Sequence, residues 1–292
     1  MSLPARAASR LAVRLAAVAA SMLAVVAYTG GTTSVDAAPM WAPAATATIH
    51  PGTQMFTKGA QCTANFVYTD GAGTVYVGYA AHCAGTGSST DTNGCTTKSL
   101  PLGTKVTFNK GANLASEGTV VGKGTLAYSS WLAMQKAGET GANTCAYNDL
   151  ALVKVDPASV KNVNPSVPFW GGPTALHSGG TAAGDQVFSF GNSLLRGGVE
   201  QLGPKTGLSV GDAGNGWSHN VYTMTPGIPG DSGSGFMDAK GNALGVLSTL
   251  QIAPLVGSNG VGDLAKEVAY ARGHGVAGLT VTPGTVAFNP VL

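Results

Sequence analysis

The chain has 292 residues, enough to bury a sizeable core in one large domain or in two fused small ones. Only 10% of the residues are charged and 43 are glycine, a mix that suits short strands joined by tight turns and argues against long surface helices rich in Glu, Lys and Arg. The formal net charge of +2 vanishes once residues 1–37 are set aside with their three arginines and Asp36, so electrostatics make no case for nucleic acid or an anionic membrane as partner.

The chain opens with Arg6, Arg10 and Arg14, then an apolar run from Leu15 to Ala27, then Val35-Asp36-Ala37. Basic residues, a short apolar core and a small-residue cleavage site together read as a secretory signal peptide over residues 1–37, which makes the mature protein extracellular. The competing reading is a membrane anchor, but the run is about 13 residues long and a spanning helix needs roughly 20. Residues 38–57 read as a short N-terminal extension.

Beyond it, apolar alternation is broken by turn residues. "FVYT", "DGAG" and "TVYVGYAA" form a predicted hairpin, with Asp70 and Gly71 in the turn and Val75, Val77 and Tyr79 on one strand face. Further predicted strands are 105–108, 118–128, 150–155, 186–190, 220–225, 234–238 and 243–249. A short helical insertion is expected over 129–140. Residues 156–173 hold four prolines and no apolar period, which marks a connector between two β units, 58–155 and 174–292. The second unit carries one convincing helix, "DLAKEVAYARGHG". Asp263 is its expected N-cap, Leu264, Val268 and Ala269 recur at helical spacing, and Gly273 sits where it should stop. Many short strands without a βαβ rhythm indicate an all-β fold of sandwiches or barrels.

Four cysteines, Cys62, Cys83, Cys95 and Cys145, lie in the mature part. An even count in an exported chain implies two disulfides with three possible connectivities. Zinc is the competing reading, but no C-x-x-C pair is present and the spacings match no common ligand pattern.

The stretch "GIPGDSGSGF", residues 227–236, sets Ser232 among glycines and after an acid. A serine among glycines is ordinarily a turn residue. Gly230, however, can take backbone angles that aim its N–H and that of Ser232 at one developing oxyanion. The stretch is not G-x-S-x-G, so an α/β-hydrolase elbow is not supported. A nucleophilic serine needs a base. His50, His177, His219 and His274 sit among polar or glycine-rich residues and read as solvated, whereas His82 closes a predicted strand in "GYAAHCAG" beside a cysteine. The base needs a carboxylate to hold its tautomer, and Asp149, at the head of the apolar strand "LALVKV", is the acid best placed for burial. Asp70, Asp156 and Asp263 are better explained by a turn, an Asp-Pro step and a helix cap.

Together these motifs resemble the trypsin-like, chymotrypsin-fold serine proteases: "AAHC" looks like the family's histidine motif, "NDLALVKV" like its aspartate strand and "GDSGSG" like its serine loop, in the family's order. The match runs over roughly residues 58–275. The resemblance implies two packed six-stranded antiparallel β-barrels with a C-terminal helix, the first over 58–155 and the second over 174–292. It implies a secreted, monomeric endopeptidase in which Ser232 attacks, His82 shuttles the proton, Asp149 orients His82, and the N–H groups of Gly230 and Ser232 form the oxyanion hole. It pairs Cys62 with Cys83 and leaves Cys95 with Cys145. No cofactor or metal is required, and the partner is a protein or peptide substrate.

The chain departs from animal members in having no R-I-V-G-G activation site. Bacterial secreted members that resemble streptogrisin use an internal arginine to balance the acid before the serine, and Arg196 in "GNSLLRGG" is the candidate partner for Asp231. By the same resemblance the pocket floor falls on Pro226 and its walls on Ser248, Thr249 and Leu250. None carries charge, so a small or apolar residue is expected before the scissile bond. A catalytically silent binding protein of this fold, or an esterase using the same triad, are the alternatives.

Overall fold

A computed structural model describes residues 40–88, 91–251 and 256–291. The signal-peptide reading of residues 1–37 lies outside the described residues. The fourteen strands are, in chain order, β1 (Gln54–Thr57), β2 (Ala60–Thr63), β3 (Val67–Thr69), β4 (Val75–Ala80), β5 (Lys105–Lys110), β6 (Thr119–Ser129), β7 (Leu150–Val155), β8 (Gln186–Phe190), β9 (Pro204–Ala213), β10 (Ser218–Thr223), β11 (Gly235–Asp238), β12 (Ala243–Leu250), β13 (Asn259–Asp263) and β14 (Thr280–Val281). Four α-helices accompany them among the described residues: α1 (Ser130–Ala137), α2 (Ala142–Tyr147), α3 (Pro157–Val160) and α4 (Leu264–His274).

The strands divide into two antiparallel groups. The second is a closed six-stranded barrel in the order β10-β13-β12-β11-β8-β9, as expected. The first is an eight-stranded sheet, β14-β3-β4-β7-β6-β5-β1-β2, where a six-stranded barrel was expected. Two features account for the difference. The β1–β2 hairpin turns on Lys58 and Gly59, both at positive φ (50° and 87°), which is the backbone a two-residue hairpin turn needs. It places the first strand inside the stretch read as an extension over 38–57. The chain's tail then returns from the second unit, where β14 pairs with Tyr68 and Thr69 of β3 and covers that edge of the sheet.

Burial follows from these positions. β4 is central, between β3 and β7, and every one of its six residues is buried, so the single inward face expected from alternation is not seen. The second barrel is filled by Val187, Val221, Phe236, Leu244, Leu247 and Val261. Each such side chain contributes about 1.5–3 kcal/mol relative to leaving it exposed. The expected insertion forms α1 and ends on Gly138, whose φ of 65° suits the left-handed cap. Helix α4 begins at the expected N-cap, with the Asp263 carboxylate accepting from Lys266 N, and ends one residue past Gly273, with Gly275 as its cap. Its buried face is Leu264, Glu267, Val268 and Ala271, while Ala269 is exposed. The connector lies between β7 and β8 and carries α3. Among the described residues, no helix is long and apolar enough to cross a membrane.

Candidate active site

His82 rides on a 3-10 turn, residues 81–84, at the end of β4, and the turn is fastened by the Cys62–Cys83 disulfide to the end of β2. The second bridge joins Cys95 to Cys145. Cys62, His82 and Cys83 offer ligand atoms within 4.8 Å of one another, but metal binding needs thiolates and both sulfurs are consumed in the bridge. The cluster anchors the histidine loop.

Asp149 stands just before β7 and is 3% exposed. One carboxylate oxygen accepts from His82 N at 2.8 Å and the other faces His82 Nδ1 at 2.7 Å. An ionised carboxylate can only accept, so Nδ1 carries the proton and Nε2 presents its lone pair. Burial works against the imidazolium, but the charge of Asp149 and its hydrogen bond outweigh that penalty and raise the His82 pKa above its ordinary 6.5. Two further groups hold Asp149. Ser248 Oγ donates to its Oδ2 at 2.5 Å, and its own N–H donates to Glu267 Oε1 at 2.8 Å. Ser248 reaches it because the pairing of β12 with β13 shifts register between Leu247 and Thr249, a bulge that re-aims the side chain.

Ser232 is half-buried and lines the same cleft as His82 and Asp149, a space of about 690 Å³ between the two strand groups. Among the described residues, Ser232 Oγ makes no hydrogen bond with His82, and the backbone N–H groups of Gly230 and Ser232 donate to no protein acceptor. The neighbouring Gly233 N–H, by contrast, is tied to Leu247 O at 2.7 Å. Gly230 has φ 94°, and a Cβ there would lie 2.3 Å from Gln61 Oε1, so only glycine fits. The Gly230 carbonyl is turned toward the first sheet, where Gln61 Nε2 and Thr63 Oγ1 donate to it at 3.0 and 2.8 Å.

Asp231 is 0% exposed. Arg196 Nη2 lies 2.6 Å from its Oδ2, and Ser193 N donates to its Oδ1 at 3.0 Å. A second cation, absent from the sequence reading, joins it: Lys205 Nζ, fully buried, lies 3.0 Å from the same Oδ2. Its signal in the sequence was a lone lysine among the apolar and small residues of "GPKTGLSV", a stretch not recognised as strand β9.

Of the predicted pocket residues, Ser248, Thr249 and Leu250 line the cleft, although Ser248 is engaged by Asp149. Pro226 does not. It is exposed, its carbonyl is directed at Lys205, and Gly227 takes the place expected for it, pinned by Asn259 Oδ1 at 2.8 Å. The expectation of four solvated histidines also fails for His219, which is 0% exposed between Asp212 (2.7 Å) and Asp263 (3.1 Å). Burial opposes its charge, but the two carboxylates prevail and raise its pKa.

The architecture is that of a mostly-β chain with a closed barrel, a second curled sheet and one C-terminal helix. In structure the chain is similar to Thermobifida fusca protease A, with 18% identity, a TM-score of 0.47, and 81% of this chain and 99% of that one covered. It is also similar to a glutamic-acid-specific serine protease that uses a histidine triad in substrate binding (19%, 0.45, 80% and 100%), and to Nocardiopsis protease (18%, 0.45, 80% and 98%). No protein-family model and no curated protein matches the sequence.

Proposed function

We propose that the protein is a secreted serine endopeptidase acting through an acyl-enzyme. The observation that carries this reading is the 2.7 Å contact of His82 Nδ1 with a buried Asp149, in the cleft that Ser232 also lines. Nε2 is thereby left as the basic atom facing the cleft. In the reaction Ser232 Oγ attacks the scissile carbonyl carbon as its proton passes to His82 Nε2, and Asp149 stabilises the imidazolium. The tetrahedral oxyanion takes the N–H groups of Gly230 and Ser232, and the imidazolium then returns the proton to the leaving amine. Water repeats the sequence to release the acid. Contact between Ser232 and His82 has to close when substrate binds, as catalytic hydrogen bonds commonly do.

The walls at Gly227, Leu247, Thr249 and Asn259 are uncharged, which supports a small or apolar residue before the scissile bond. Incubation with a fluorophosphonate probe, followed by a casein digest, tests the reading. Labelling that is lost in Ser232→Ala together with casein cleavage is expected. Labelling without peptide cleavage would make the protein an esterase, and no labelling at all would make it a binding protein of the same fold.

A further inference from the structure

Lys205 is an unusual residue to find with a side chain 0% exposed, because a long cationic side chain is almost never fully buried without partners. Its surroundings supply three. Nζ lies 3.0 Å from Asp231 Oδ2 and 3.3 Å from each of the Thr225 and Pro226 carbonyl oxygens. An ammonium has three N–H donors and no acceptor, so the protonated side chain matches this set one to one. A neutral amine has only two donors and would turn its lone pair toward one of the three oxygens.

The three acceptors belong to different parts of the proposed site. Asp231 immediately precedes Ser232, whereas Thr225 and Pro226 lead into Gly227, Ile228 and Pro229 on the cleft wall. Arg196 does not make this link. It approaches Asp231 through Nε and Nη2 at 3.4 and 2.6 Å, and its remaining contact is with Leu202 O, in its own loop. Balancing the Asp231 charge therefore needs only one of the two cations, and the other is left to explain.

We propose that Lys205 is a positioning residue of the peptidase, whose ammonium clamps the oxyanion-hole loop to the pocket wall and so fixes the distance between the attacking serine and the bound substrate residue. The inference rests on the function proposed above. The charged groups facing Lys205 are Asp231 in the serine loop and Arg196 in the turn after β8. Burial lowers its pKa from the ordinary 10.5, opposed by the charge of Asp231 and reinforced by that of Arg196. The clamp then releases at alkaline pH, below the ordinary lysine range. Stability has the opposite sign there. The folded protein loses this proton before the unfolded chain does, so folding releases a proton in that window and this residue makes stability rise with pH. Activity falling where this stability contribution rises is a signature that a merely structural lysine would not give.

The test compares the parent with Lys205→Met on a peptide substrate, recording kcat and KM separately from pH 6 to 11, with melting temperature over the same range. Loss of about 10²-fold in kcat/KM is expected for Lys205→Met, since misplacement by about 1 Å can cost that much. An alkaline limb is expected in the parent and not in the variant. A variant with parental kcat/KM and the same alkaline limb overturns the clamp while leaving the peptidase intact. A parent that neither reacts with fluorophosphonate nor cleaves peptide overturns the functional reading, and the clamp with it. If Lys205→Met does not fold, the parent's profile decides: an alkaline fall in kcat/KM with unchanged circular dichroism upholds the clamp, and a flat profile through the lysine range overturns it.

Discussion

At the residue scale, His82 gathers the most constraints. Its backbone N–H and its Nδ1 are both held by Asp149, so the ring's position and its tautomer are set by one buried carboxylate, which Ser248 and Glu267 hold in turn. The raised pKa has two consequences of opposite sense. In the proposed role of general base His82 must be neutral, so the acid limb of kcat/KM is expected above pH 6.5, and a pH–rate profile measures it directly. For stability, a group that binds its proton more tightly when folded contributes fully below its unfolded pKa of about 6.5. That contribution is lost as pH rises through the folded value. Asp149→Asn should lower turnover on the order of 10⁴-fold by presenting the wrong tautomer, with little change in substrate KM. An acid limb at or below pH 6.5, or an Asp149→Asn protein with parental turnover, would contradict this account of the dyad.

At the element scale, α4 shows both what could be read from sequence and what could not. Its existence, its Asp263 cap and two of its core residues follow from helical spacing. The periodic reading passed over Glu267 because it is charged, yet Glu267 stands on the buried face beside Leu264, Val268 and Ala271 and holds the N–H of Asp149. Two of the strands missed from sequence share a cause. β13, "NGVGD", is mostly glycine and polar residues, and β9 mixes Pro, Lys and Gly, so neither shows alternation, and pairing with neighbours makes them strands. Ser248 lines the cleft as expected, but its bond to Asp149 was not legible, because a bulge, a property of how two strands pair, cannot be seen in one of them.

Glu267 makes its own prediction. Burial pushes its pKa well above the usual carboxylate value, opposed by the hydrogen bond from Asp149 N–H and reinforced by the charges of Asp149 and Asp263, which favours the neutral acid. An acid whose folded pKa is raised contributes stability below its unfolded value that is lost as pH rises through the folded one. Glu267→Gln keeps an acceptor for Asp149 N–H and removes the titration. Its melting temperature should stay near the parent's at pH 5 and exceed it increasingly as pH rises. Glu267→Ala should cost about 1–3 kcal/mol at pH 5, because it leaves a buried N–H without an acceptor, and that cost should shrink as pH rises and the parent loses its own contribution. Parallel melting curves for parent and Glu267→Gln across pH would show that the folded pKa of Glu267 is not raised above its unfolded value.

At the scale of the whole molecule, the candidate site is a product of two strand groups that meet. The motifs around His82, Asp149 and Ser232 were legible because each is local in sequence. The surface that joins them was not, because Gln61 and Thr63 lie about 170 residues before the loop they hold. Thr63 is the knot. Its N–H donates to Ser232 O at 2.8 Å, its hydroxyl donates to Gly230 O at 2.8 Å, and the same hydroxyl accepts from Asn192 N at 3.1 Å. A hydroxyl that donates and accepts at once cannot be replaced by a methyl group without leaving both partners short. Thr63→Val, which preserves shape, should therefore strand the buried Asn192 N–H and cost about 1–3 kcal/mol in urea unfolding. It should also loosen Gly230, whose carbonyl Thr63 holds against the first sheet and whose own N–H, on the preceding peptide plane, belongs to the proposed oxyanion hole. Turnover is expected to fall by about 10- to 100-fold, with KM nearly unchanged, as for an interaction made only in the transition state. A Thr63→Val protein that loses stability but keeps its turnover would mean that the second barrel alone sets the direction of the Gly230 N–H.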